Sequence, residues 1–125
     1  MPYKIEAHTH EFLSFAAGDT ITAGMLVALN DSYEVIPCTT STTNCVGIAD
    51  EAASDGDDVR VLQGNVIVYV QAADAVTAGA SLETAAGGQV DDTSGTGMTL
   101  QAFAIDAATA GDDWIRIMGN FPCTA

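Results

Sequence analysis

The sequence predicts an all-β domain. Short apolar runs recur about every 8 to 12 residues, and clusters of Gly, Asp, Thr and Asn separate them. No apolar stripe of 3.6-residue period extends over a useful length. A small β-barrel or sandwich follows from that spacing.

The first strand signal is Met25-Leu26-Val27-Ala28-Leu29, fed by the tight turn Thr22-Ala23-Gly24. Asn30-Asp31-Ser32 turns the chain back into Tyr33-Glu34-Val35-Ile36-Pro37, a hairpin partner ended by proline. Cys45-Val46-Gly47-Ile48-Ala49 is a short apolar strand, followed by an Ala-rich acidic bend that ends in Gly56-Asp57-Asp58. From there Val59-Arg60-Val61-Leu62 leaves as a strand and runs past Gly64 into Val66-Ile67-Val68-Tyr69-Val70, the most strand-like run in the chain. The second half repeats the order. Ala80-Ser81-Leu82-Glu83 and Gln89-Val90 flank Ala86-Gly87-Gly88, then come Leu100 to Ile105, a second acidic bend, and Trp114-Ile115-Arg116-Ile117-Met118. The bends have helical propensity, but five or six residues stopped by glycine make at most a turn or two.

That order reflects an internal repeat. With an ungapped shift of 55 residues, Ala17, Asp19 and Thr22-Ala23-Gly24 fall on Ala72, Asp74 and Thr77-Ala78-Gly79. Val35 falls on Val90, and Ala49, Ala52-Ala53 and Gly56-Asp57-Asp58 fall on Ala104, Ala107-Ala108 and Gly111-Asp112-Asp113. Gly64-Asn65 falls on Gly119-Asn120. Identities concentrated in blocks at one register indicate duplication. Residues 17–125 are therefore read as one β-domain of two pseudo-repeats, about 17–65 and 72–120. Residues 1–16 lie outside the repeat and hold Tyr3, Phe12 and Phe15 with His8 and His10. They are read as an N-terminal arm, since aromatics on a chain end seek burial on the domain or on a partner.

Charge excludes several functions. Seventeen acids against three strong cations (Lys4, Arg60 and Arg116) give a net charge of -14 over 125 residues. Such a chain does not neutralise a phosphate backbone, so nucleic acid is excluded as a partner. A polybasic mode on a membrane surface fails for the same reason. Only 16% of residues are charged and 48% are apolar, which argues for an ordered domain. The N-terminus shows no signal-peptide pattern and no stretch approaches a membrane span, so synthesis in the cytoplasm is expected. The odd count of cysteines, Cys38, Cys45 and Cys123, fits free thiols.

Reactive constellations are sparse. There is no nucleophile elbow, and Ser94-Gly95-Thr96-Gly97 is too short for a phosphate loop and lacks its lysine. A cysteine nucleophile needs a base, and the only histidines stand at 8 and 10. His8-x-His10 on a strand places two imidazoles on one face, but the sequence supplies no third metal ligand. Asp55-Gly56-Asp57-Asp58 resembles a fragment of a calcium loop without the full spacing or distal Glu. A lipoyl-type carrier needs a hairpin-tip lysine, and the sole Lys is Lys4. No catalytic residue, metal ligand or cofactor is assigned.

The blocks Ala17-Gly18-Asp19, Thr22-Ala23-Gly24-Met25-Leu26-Val27, Val46-Gly47-Ile48-Ala49-x-x-Ala52-Ala53-x-x-Gly56-x-x-Val59-Arg60-Val61 and Val76-Thr77-Ala78-Gly79 occur in that order. In order and spacing they resemble the small capsid cement, or decoration, proteins of tailed bacteriophages, over about residues 17 to 120. The chain departs from that pattern in its Thr/Ser loop at 39–44 and in Ala102-Phe103-Ala104. The resemblance implies a structural, non-enzymatic β-domain on the outer surface of a viral head, at junctions between major capsid proteins. It implies a homo-oligomer, a trimer in preference to a dimer, made in the host cytoplasm. Tyr3, Lys4, Phe12 and Phe15 on the arm are the expected contacts to capsid or sister subunit. The alternative is a carbohydrate-binding β-sandwich, for which Trp114 is the only tryptophan. On the arm reading, a chain starting near Phe15 folds but decorates poorly.

Overall fold

The computed structural model describes residues 5–92 and 95–124, with side chains from Glu11 onward. The chain is all-β. Its strands are β1 (Ile5–Ala17), β2 (Leu26–Leu29), β3 (Glu34–Pro37), β4 (Asn44–Cys45), β5 (Gly47–Ala49), β6 (Asp58–Gln71), β7 (Ser81–Thr84), β8 (Val90–Asp92), β9 (Thr99–Ala104), β10 (Trp114–Phe121) and β11 (Cys123–Thr124). A single 3-10 turn, Ala86–Gly88, caps the β7–β8 hairpin. The acidic bends contain no helix, as their length requires.

Nine strands form one large mixed sheet in the order β1-β3-β2-β5-β6-β10-β9-β7-β8, and β11 pairs with β4 in a two-stranded companion. β1 also pairs antiparallel with β6, from Ala16↔Asp58 to Ile5↔Val68. The pairings β1-β3-β2-β5-β6 therefore return to their start. On the other side, Ala72 bridges Val90 in parallel, so the pairings β6-β10-β9-β7-β8 return as well.

Two apolar cores follow. The smaller contains Ala17, Ile21, Val27, Val35, Val59 and Val61. The larger contains Val76, Leu82, Val90, Ile115 and Ile117, and also Leu26, Ile48 and Leu62. β6 serves both. Val59 and Val61 are buried at its start and Val66, Val68 and Val70 at its end, so the buried side changes from odd to even positions around Leu62, Gln63 and Gly64.

Local geometry recurs along the chain. Ile21 bridges Ala53, and 55 residues on in both partners Val76 bridges Ala108. Val27↔Pro37 and Leu82↔Asp92 stand in the same relation, as do Leu26↔Ile48 and Ser81↔Phe103. Beyond Ala108 the spacing becomes 56. The Gly56 N–H donates to the Ala17 carbonyl at 2.8 Å, and the Asp112 N–H donates to that of Ala72 at 2.7 Å. Gly56 at φ 90° thus corresponds to Asp112 at φ 67°, and the Gly56/Gly111 identity of the ungapped alignment is not a spatial one. Nor is Gly64-Asn65 with Gly119-Asn120: Asn65 faces Asn120 across the ladder.

Residues read from sequence as a separate arm enter the sheet at Ile5 as β1. A chain starting near Phe15 strips β6 of its partner from Gln63 to Val68 and leaves a long apolar edge. It is expected to lose its cooperative thermal transition in circular dichroism, contrary to the arm-based expectation above; a wild-type melt from that truncation contradicts this assignment. Gly47 backs onto the Leu62 carbonyl so closely that a Cβ would collide with it. Gly47→Ala should lower stability by roughly 1–3 kcal/mol in urea unfolding, the usual cost of overpacking.

Candidate functional site

Both described arginines are tied to carboxylates of their own chain. Arg60 Nη2 lies 2.6 Å and Nε 3.0 Å from Asp50 Oδ2, and its guanidinium covers the Phe12 ring at 5.2 Å. Arg116 forks onto Asp106, with Nε at 2.9 Å from Oδ2 and Nη2 at 2.8 Å from Oδ1. The bond from Arg116 holds the Asp106 carboxyl below its ordinary range, opposed by partial desolvation. Asp113 is also held low, by the Thr109 N–H, the Thr109 hydroxyl and the Ala110 N–H. The cations thus order the acidic bends, and the bends remain anionic.

The three cysteines converge. Cys45 and Cys123 are register partners across β4 and β11, and all three thiols are free and buried. Cys45 is pushed well above the ordinary thiol range, first by its hydrogen bond with Cys38 and then by burial. Burial raises Cys123 as well, partly offset by the Gln101 N–H. Protonated, enclosed thiols are poor nucleophiles. Glu83 is fully buried on β7. Its carboxylate accepts from the Gly95 N–H and the Thr96 hydroxyl at 3.0 Å each, tying the following loop to the sheet.

The outward face of β6, β10, β9 and β7 carries the row Ile67–Met118–Phe103–Ser81, each residue opposite the next. Phe103 and Met118 are 43% and 41% exposed. Beside them lies an open cleft of about 490 Å³ lined by Asn65, Gln101 and Asn120 with Leu100, and no ionisable side chain lines it. Among the described residues no group of three His, Cys, Asp or Glu is placed to hold a metal. The arrangement offers contact area and hydrogen-bonding amides rather than acid–base chemistry.

Of the residues expected on the arm, Tyr3 and Lys4 lie outside the described residues, as do the side chains of His8 and His10. Phe12 is 38% exposed on β1 beneath Arg60. Phe15 is half-buried and packs on the smaller core. Trp114 is half-buried opposite Gln71. Sequence reasoning passed over Phe103, Met118 and the 80%-exposed Tyr33. Alternation along β9, with Leu100, Ala102 and Ala104 inward, is the signal that turns Phe103 out.

A scan of protein-family models matches residues 7–119 to the family described as phage cement protein. The chain belongs to the phage cement protein family. As a cement protein it decorates and stabilises a capsid and is a structural component rather than an enzyme. Its fold is similar to that of the head fiber gp8.5 N base in bacteriophage phi29, with a TM-score of 0.69 and 18% identity. That alignment covers 90% of this chain and 95% of the other. No curated protein sequence matches.

Two predictions follow from the ionisable groups. In the native cement protein the three thiols should resist iodoacetamide at pH 8 and react fully in denaturant; modification of the folded protein at free-thiol rates contradicts the enclosed cluster. Because Asp106 is held low in the folded state, its contribution is present above the unfolded carboxylate range and disappears as pH falls through the folded value. Asp106→Asn should cost at most about 1 kcal/mol near pH 7, given the exposure of the pair. The gap to wild type should close in acid, as measured by urea unfolding across pH.

Proposed function

We propose that this cement protein sits on the outer surface of an assembled head, at junctions between major capsid proteins, as a homo-oligomer, with a trimer favoured over a dimer. The family match over residues 7–119 is the observation that carries the reading. The uncharged face around Phe103 and Met118 supports it, because adhesion requires area from which water is expelled rather than a reactive group. The net charge of -14 supports it too, since the molecule repels packaged nucleic acid and favours basic or neutral shell surfaces. Many weak contacts repeated by symmetry on a shell then give avidity.

The finer architecture belongs to the same proposal. The matching bridges and hairpin registers support two copies of one unit, each a small closed ring of strands, with β6 closing the first and opening the second. On this reading β1 corresponds to the C-terminal half of β6, so the first unit begins at β1 and the N-terminal boundary near residue 17 moves forward. Phe12 stays a candidate contact because it faces outward on β1, and Tyr3 and Lys4 precede that strand. Phe15 is the weakest of the four, since it faces the smaller core.

Co-sedimentation tests the function. The purified protein should pellet with expanded heads and remain in the supernatant with immature ones. It should also raise the temperature at which expanded heads release DNA. Equal binding to both head forms removes the junction reading, and turnover of a small substrate removes the structural one.

A further inference from the structure

We propose that the open face of β6, β10, β9 and β7 receives the β2–β3 hairpin tip of a second copy of this chain, with Tyr33 filling the cleft beside Phe103. The inference rests on the two-unit reading above and names the contact that the homo-oligomer would use.

The first unit presents the row Phe12–Leu62–Ile48–Leu26 across β1, β6, β5 and β2. The second presents Ile67–Met118–Phe103–Ser81 at corresponding positions. The first row is covered within the chain. Leu26, Ile48 and Leu62 are fully buried and share the larger core with Val66, Val90, Phe121 and Cys123. Part of that cover is the β7–β8 hairpin tip: the Gly88 N–H donates to the Cys38 carbonyl at 2.9 Å. A Cβ on Gly88 would lie 2.9 Å from the Leu26 carbonyl oxygen and from Met25 Cβ. The second row has no such cover, and Phe103 and Met118 remain exposed.

The counterpart of the Gly88 tip lies 55 residues earlier. It is Tyr33, on a hairpin closed by the same bond: Asn30 N–H to Glu34 carbonyl in one, Ala85 N–H to Gln89 carbonyl in the other. Tyr33 at φ 62° and Gly88 at φ 71° share the left-handed region, which disfavours a side chain. A tyrosine held there and 80% exposed gains nothing for its own fold. Side-chain sizes at the two contacts are reciprocal. Inside the chain a glycine tip meets Leu26; between chains a tyrosine tip would meet Ser81, whose small side chain leaves the cleft open. Repeating the internal relation joins copies head to tail, which closes into a ring when the rotation permits. The cleft lining carries no charge, so two copies of -14 meet where repulsion is weakest, and salt strengthens the contact.

The test is sedimentation velocity of the full chain without capsids, in about 0.15 M salt. Wild type should form a discrete oligomer. Tyr33→Ala and Phe103→Asp should each weaken it at least tenfold. Tyr33→Gly should weaken it equally without lowering the melting temperature, because glycine relieves the left-handed backbone; this separates loss of contact from loss of fold. With a short bis-maleimide, a mixture of Tyr33→Cys and Phe103→Cys chains should cross-link while neither variant alone does. A monomeric wild type, variants that associate normally, or cross-links within one variant overturn the proposal. If Phe103→Asp abolishes capsid binding while the wild type is monomeric, the face serves the capsid and the proposal falls. An oligomer with these properties that ignores every head form leaves the contact standing and removes the cement reading for this chain.

Discussion

The structure depends on one long strand being buried on different sides along its length. β6 pairs with β1 and β5 at its start and with β10 from Gly64 onward, and its buried side chains change parity around Leu62–Gly64. In a strand with a strict two-residue period, a single sheet face would be buried throughout. The change of side lets Val59 and Val61 enter one core while Val66, Val68 and Val70 enter the other. Gly64, with φ 103°, stands at the change. Without that strand the two cores have no common wall.

A second consequence is the placement of charge. The acids lie in bends that the sheet does not bury, and Arg60 and Arg116 pin two of those bends through Asp50 and Asp106. The exception is Glu83, whose carboxylate is enclosed and satisfied by a backbone N–H and a hydroxyl of the next loop. Away from the bends, the row through Phe103 and Met118 is apolar and beside it stand only amides and small residues. A cement protein works by adhesion, and this division separates a repelling surface from one that can be desolvated.

Much of this was legible in the sequence. The strands before and after each acidic bend, the Asn30–Tyr33 turn and the Ala86–Gly88 turn were found from alternation and turn residues, because those signals are local. The free thiols were found from their odd count, but their convergence was not, since β4 and β11 meet only through tertiary pairing. The extra residue in the second bend escaped an ungapped alignment because chance identities, Gly56 with Gly111 and Gly64-Asn65 with Gly119-Asn120, favoured the wrong register. Phe15 looked like a contact and packs on the smaller core. Phe103 was overlooked because a short apolar run read as wholly buried.

Sequence alone determined the strand-forming segments, the turns between them, the anionic character and the absence of a recognisable catalytic motif, because each depends on neighbours within a few residues or on composition. Only the tertiary structure decided that Ile5–Ala17 is a sheet strand rather than an arm, and that the row of Leu26, Ile48 and Leu62 is covered while that of Ser81, Phe103 and Met118 is open. Those outcomes turn on which distant strand supplies the partner, and no local pattern encodes a partner's distance along the chain.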